Sequence, residues 1–194
     1  MAQRPVMSEG TVPDHELIAR YLAGEETAFE QLYHRYRLPL YAFLNGLVAG
    51  RRAVADDLFQ QTWIRALDAL PGYRHESRFF PWLVRIAHNL AMDFFRAPAQ
   101  SRRVEAPEEL ETIAGPAAES EPWEGLASDE FRATLELAIA QLSVEQREVL
   151  LLRRQGMPFK EIARLQDTGI NTVLGRMHYA ITHLRRQLWA SGEE

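Results

Sequence analysis

Between Tyr73 and Arg96, six aromatic residues (Tyr73, Phe79, Phe80, Trp82, Phe94, Phe95) are interleaved with Arg74, Arg78, Arg85 and Arg96, and His88 and Asn89 lie among them. Rings of this size stack on unpaired bases, guanidinium groups hold phosphate, and an amide reads a base edge. The set therefore suits gripping opened nucleic acid rather than making or breaking bonds. The competing assignment is a packed core. Trp82 and Phe94 fall on the apolar stripe of a helix and are expected inside; Phe80 and Phe95 fall off it and are the better contact candidates. A second set runs from Phe159 through Ile162, Ala163 and Leu165 to Asp167-Thr168-Gly169, and on to Val173, Met177, Ala180, Ile181, Leu184 and Leu188. A short helix, a tight turn with Gly and a longer helix make a helix-turn-helix, whose second helix can lie in a major groove. From Arg147 to Leu188 eight Lys/Arg face only Glu148, Glu161 and Asp167, a positive field for phosphate. An ordinary helical hairpin with solvated arginines fits the same pattern.

Catalytic chemistry finds no such footing. The six histidines (His15, His34, His75, His88, His178, His183) show no metal-ligand spacing, there is no cysteine, and no Gly-rich phosphate loop is present. No enzyme activity, catalytic residue, metal or cofactor is expected.

The elements that position these sets read as helices throughout, because no period-two run occurs. Asp14 is placed to cap a helix carrying Leu17, Ile18, Tyr21 and Leu22. After Gly24, Ala28, Phe29, Leu32, Tyr33 and Tyr36 recur at helical spacing, and Pro39 either kinks that helix or starts the next, which carries Leu40, Phe43, Leu44 and Leu47. Beyond Gly50, the stripe Val54, Leu58, Trp63, Ile64, Leu67, Leu70 ends at Pro71-Gly72. Ser77 is a candidate cap for the aromatic helix, with Pro81 near its first turn. Leu135, Leu137, Ala138, Ile139 and Leu142 form another helix, and Ser143 with Gln146 has the spacing of a capping box.

Charge divides the chain. Nine acids and no Lys or Arg lie between Val104 and Glu130; the remaining 22 basic and 18 acidic residues leave +4, although the whole chain is −5. An acidic tether punctuated by Pro107, Gly115, Pro116 and Pro122 thus joins two mildly basic blocks, and its self-repulsion predicts an extended, mobile segment. Trp123 within it is expected to dock on a neighbouring domain. The expected organisation is a flexible leader (1–13), a helical domain (14–103), the linker (104–130) and a helix-turn-helix domain (131–190): an all-α protein of two small domains. No apolar run approaches a membrane span, so no membrane insertion is expected.

The strings Asp56-Asp57-Leu58-Phe59-Gln60-Gln61-Thr62-Trp63 and Phe79 through Trp82-Leu83-Val84-Arg85-Ile86-Ala87-His88-Asn89 resemble region two of the extracytoplasmic-function (ECF) sigma factors of the sigma-70 family. Leu142 to Leu150, Phe159-Lys160-Glu161-Ile162-Ala163, Thr172-Val173 and Arg176-Met177-His178 resemble their region four. The resemblance implies a cytoplasmic bacterial protein that binds core RNA polymerase and directs it to a promoter, an alternative sigma factor acting in transcription initiation. It implies that Asp56, Asp57, Leu58, Gln60, Gln61 and Trp63 face the polymerase, with Thr62 and Arg65 alongside. It assigns Arg74, His75, Ser77, Arg78, Phe80, Arg85, His88, Asn89 and Arg96 to the minus-ten element, and Asn171, Thr172, Leu174, Gly175, Arg176, His178 and Tyr179 to the minus-thirty-five element. Members are often held inactive by an anti-sigma factor, which makes one an expected partner. In such proteins the linker threads toward the RNA exit path, the place expected for Glu105 to Glu124. A stand-alone helix-turn-helix regulator with a helical sensor domain is the alternative.

Departures from the family matter. Gln61 stands where relatives commonly carry Glu, and phosphorylation of Thr62 would restore that charge. Leu174, Gly175, Tyr179 and Ile181 replace basic or small polar residues, and Gln166 and Thr168 put polar groups into a usually apolar turn. Weaker, less salt-dependent binding by the last helix is expected.

Overall fold

The computed structural model describes residues 12–74, 78–97 and 129–190, and among them every regular element is helical. His75, Glu76, Ser77, the leader to residue 11, the segment 98–128 with Trp123 and Glu105 to Glu124, and residues 191–194 lie outside the described residues.

The first module is built from α1 (Asp14–Leu22), α2 (Glu26–Leu47), α3 (Arg52–Ala69), a 3-10 turn (Leu70–Gly72) and α4 (Phe79–Arg96). Asp14 does not cap α1. It is the first helical residue, after Pro13, and its carboxylate instead accepts from Arg35 and, at 2.6 Å, from the Tyr36 hydroxyl of α2. That tie staples α1 to α2, and burial together with the bond to Asp14 pushes the Tyr36 hydroxyl well above its usual range. Pro39 does not start a new helix: α2 continues through it to Leu47. Gly50, at φ 71°, and Ala49, at φ 55°, turn the chain into α3 with left-handed backbone.

The second module comprises α5 (Asp129–Ala140), α6 (Val144–Arg154), α7 (Phe159–Leu165) and α8 (Ile170–Ala190). The capping box is present: Ser143 Oγ accepts from the Gln146 amide at 3.3 Å, and Gln146 Oε1 accepts from the Ser143 amide at 3.2 Å. The helix-turn-helix turn takes its left-handed residue at Asp167 (φ 47°) rather than at Gly169. Leu137 of α5 and Ile181 of α8, although apolar, are exposed.

The two modules do not sit apart. Leu32, Phe43, Leu44, Phe59 and Leu83 form one continuous buried cluster with Val149, Leu152, Ile162 and Val173 of the second module. α6 lies across the C-terminal half of α2, and α7 lies against α4. Arg147, which sequence counting assigns to the phosphate field, is buried in this seam. Its guanidinium donates to the carbonyls of Leu47, Ile139, Ala140 and Leu142 at 2.7 to 3.1 Å, closing the C-terminal ends of α2 and α5 together. A cation there meets the negative ends of two helix dipoles, so carbonyls rather than a carboxylate compensate the buried charge. Among the described residues no helix is long and apolar enough to cross a membrane.

Candidate polymerase and nucleic-acid interface

The first candidate surface is on α3. Asp56, Asp57, Gln60 and Gln61 are half-buried, so each keeps a part exposed to solvent. The Tyr41 hydroxyl donates to Asp56 Oδ1 at 2.7 Å, and Gln61 Nε2 donates to both Asp57 oxygens at 2.9 and 3.0 Å. Burial, then the bond to Asp56, raises the Tyr41 hydroxyl above its ordinary value. Helical spacing puts Asp57, Gln60, Gln61 and Ile64 on one face. Ile64, which the apolar stripe assigns to the core, is 58% exposed. Its position three and four residues after Gln61 and Gln60 is the signal that could have placed it on this face. Leu58 and Trp63 are corrected in the opposite direction: both are 3% exposed, and Trp63 packs edge-on against Phe29 and Phe59. They hold α3 in the fold and cannot themselves present to a partner. Thr62 is fully buried and donates to the Leu58 carbonyl at 2.6 Å, so a kinase cannot reach it in this fold. The charge missing at Gln61 is not restored there.

The second surface is on α4 and the turn before it. Arg74, Arg85, Asn89 and Arg96 are exposed, and Arg85, Asn89 and Arg96 fall on one helical face with Arg78 and Trp82. Arg96 also lies 3.3 Å from Asp93. Phe80 is half-buried and stacks on Tyr36, with ring centroids 5.7 Å apart and planes at 15°, so it is largely committed within the fold. Trp82 packs against Tyr73 and Phe79, and the Arg51 guanidinium lies 5.3 and 5.7 Å from the Phe94 and Phe95 rings. The aromatic set is thus mostly internal; the arginines and Asn89 carry the outward chemistry. His75 and Ser77 lie outside the described residues.

The third surface is the N-terminal half of α8. Asn171, Thr172, Leu174, Gly175, His178 and Tyr179 are all exposed, at the end of the helix whose free amides favour phosphate. Arg176 is half-buried and donates to Gln166 Oε1 at 2.6 Å. The departure at Gln166 has a structural use: its amide also donates to the Glu145 carbonyl at 3.0 Å and to Glu148 Oε2 at 2.8 Å.

These surfaces are linked through the seam. His88 of α4 has Nδ1 2.6 Å from Glu148 Oε1 of α6, and the Glu148 side chain is 1% exposed. Arg78 donates to both oxygens of Glu161 in α7, at 2.9 and 3.1 Å. His88, Glu148, Gln166 and Arg176 therefore form one polar chain from α4 to α8. Sequence spacing could not reveal it, since its members are up to 88 positions apart.

Residues 32–102 match sigma-70 region 2, and residues 132–184 match sigma-70 region 4. The chain is 30% identical over 188 residues to the ECF RNA polymerase sigma factor BldN of Streptomyces coelicolor, covering 96% of this chain and 70% of that protein. It is 31% identical over 182 residues to the ECF RNA polymerase sigma-E factor of Escherichia coli K12, covering 90% and 93%. Its fold is similar to that of the sigma factor RpoE of Bartonella quintana, solved with the anti-sigma factor NepR: TM-score 0.61, 24% identity, 82% of this chain and 96% of that one.

Proposed function

Because this chain belongs to the ECF sigma factors of the sigma-70 family, alternative sigma factors that recruit core RNA polymerase to chosen promoters, we propose how its surfaces divide that work. The α3 face of Asp56, Asp57, Gln60, Gln61 and Ile64 docks on the polymerase. Acids ringed by amides around one exposed isoleucine make a small apolar centre with an anionic rim, which suits a basic helical partner. The α4 face of Arg78, Arg85, Asn89 and Arg96, with Arg74, His75 and Ser77 before it in the sequence, holds the opened minus-ten strand. Arginines fix its phosphates and Asn89 reads a base edge. Asn171 and Thr172 anchor α8 on phosphate, while Leu174 and Tyr179 offer apolar contacts to thymine methyls in the minus-thirty-five element. These roles require no bond chemistry by the protein itself, and sigma factors in general are not enzymes. A cytoplasmic location fits these partners, and an anti-sigma factor is a partner to expect.

The observation that carries this reading is the pairing of an exposed Ile64 with the Asp57–Gln61 patch, on a helix whose opposite side is buried. The experiment is pull-down of purified core polymerase followed by run-off transcription. Ile64→Ala should weaken core binding about ten-fold, in keeping with a central apolar contact. Asn89→Ala should keep core binding and lose open-complex formation. Core binding unchanged in Ile64→Ala, or lost equally in both variants, would show that the surfaces are misassigned.

A further inference from the structure

Gln166 closes the C-terminal end of α7, and its side chain is where α6, α7 and α8 meet. Both ends of its amide are engaged. Nε2 donates to the Glu145 carbonyl at 3.0 Å and to Glu148 Oε2 at 2.8 Å, both in α6. Oε1 accepts from Arg176 Nη1 of α8 at 2.6 Å. The other oxygen of Glu148 lies 2.6 Å from His88 Nδ1. The amide dipole is thus aligned between a carboxylate that is 1% exposed and a guanidinium, hydrogens toward the anion and oxygen toward the cation. A neutral side chain acts here as a spacer: it joins the two charges and holds them one amide apart.

Helical spacing makes Arg176 a neighbour of Thr172, four positions before it, and of Tyr179, three after it. Those two are exposed, whereas Arg176 is half-buried. Beside that flank α8 rests on Val173 and Ala180, both fully buried. A guanidinium spent on the α6 side of the flank is withdrawn from the groove; what it sets is how Thr172 and Tyr179 stand above α6. We propose that Gln166 is a positioning residue for promoter reading: by bridging Glu148 to Arg176 it sets where the Thr172–Tyr179 flank of α8 meets the minus-thirty-five element. Arg176, which the family resemblance assigns to that element, braces the helix and contacts no base. This role rests on the functional reading above and names what tunes its specificity. An apolar residue, usual at this turn in the family, offers no such bridge. Glu148 and Arg176 would then close on each other as a direct ion pair. α8 would settle toward α6, its stability kept and its reading flank moved. Such a shift matters, because hydrogen bonds to base edges hold over only about half an ångström.

The test uses the full chain with core polymerase and promoter fragments randomised over the minus-thirty-five element, the bound fragments being sequenced. Gln166→Leu should melt close to the unaltered chain yet change the preferred base at one or more positions by about ten-fold, the discrimination that one good base contact supplies. Arg176→Ala should change the same positions, and the double variant no more than either single one, since both remove one bridge. Arg176→Ala should also leave the slope of log affinity against log salt as it was, because no phosphate contact is lost. The Glu148→Gln/Gln166→Glu exchange keeps a donor facing an acceptor and a carboxylate facing Arg176, and should bring the original preference back. An unchanged preference in Gln166→Leu overturns the proposal. So does a salt slope less steep by about one in Arg176→Ala, the mark of a direct phosphate contact. A preference that changes only with a lower melting temperature, and that the exchange does not restore, overturns it as well, being a general loss of packing. If the unaltered chain with core polymerase enriches no fragment, the functional reading fails instead, an outcome distinct from a preference that is kept or changed.

Discussion

At the scale of the residue, burial and hydrogen bonding decide which side chains are free to act. Arg147 is the clearest case. Desolvation lowers its guanidinium pKa, and the nearby Arg51 adds to that, yet an arginine remains charged at neutral pH. Four carbonyls depend on it. Arg147→Ala should therefore destabilise the fold by about 3 kcal/mol, since the carbonyls it leaves buried lose their partner; urea unfolding measures this. Glu145, at the start of α6, behaves in the opposite sense. Its own backbone amide and the Ser143 hydroxyl hold its carboxyl below the ordinary value. A depressed pKa contributes stability that is present above the ordinary carboxylate value and is lost as pH falls through the folded one. Thermal melts of Glu145→Gln between pH 6 and pH 3 should accordingly lose less stability on acidification than those of the unaltered chain.

At the scale of the element, two glycines inside helices make opposite predictions. Gly175 in α8 has open space where a Cβ would go, so Gly175→Ala should stabilise by roughly 0.5–1 kcal/mol, the intrinsic helix preference, visible as a higher melting temperature. Gly46 in α2 has the same preference, but the added carbon meets Leu151. Gly46→Ala should gain little or lose stability, because Leu151 must give way. α8 carries a third expectation. Its exposed cations, Arg185 and Arg186, lie far from its N-terminal end, and Arg176 is held by Gln166. Binding of a minus-thirty-five duplex should show a shallow salt slope, about −3 or less steep on a log–log plot, because few phosphates are neutralised. The helical elements, the capping box and the helix-turn-helix were legible in the sequence, being set by local periodicity and cap chemistry. Ile64 and Ile181 were not, because each lies at the margin of an apolar stripe and only neighbouring helices determine which margin is covered.

At the scale of the whole molecule, the shared core predicts one cooperative transition. Val149, Leu152, Ile162 and Val173 are buried in the same cluster as Phe43 and Phe59, so neither module should melt alone. Leu151→Glu places a charge in the seam and should separate the thermogram into two transitions while each module keeps its helices. A single transition at unchanged temperature in that variant would show that the seam contributes nothing to cohesion. Burial also explains the division of labour on α3: Leu58 and Trp63 fix the helix, and the side it turns outward is thereby fixed as well.

Composition, periodicity and two motif strings were enough to establish an all-helical chain, its two modules and its family, because those properties are written in neighbouring residues. The fate of individual side chains was not written there. His88 and Glu148 are 60 positions apart, Arg147 and Leu47 exactly 100 in the numbering, and no local rule connects them. Only packing α6 across α2 and α7 against α4 decided that a predicted phosphate ligand would meet a carboxylate, that a surface arginine would close two helix ends, and that Thr62 would be sealed from solvent. Local sequence sets what a segment can become; long-range burial, where unmet charges and polar groups are costly, sets which of its atoms remain available.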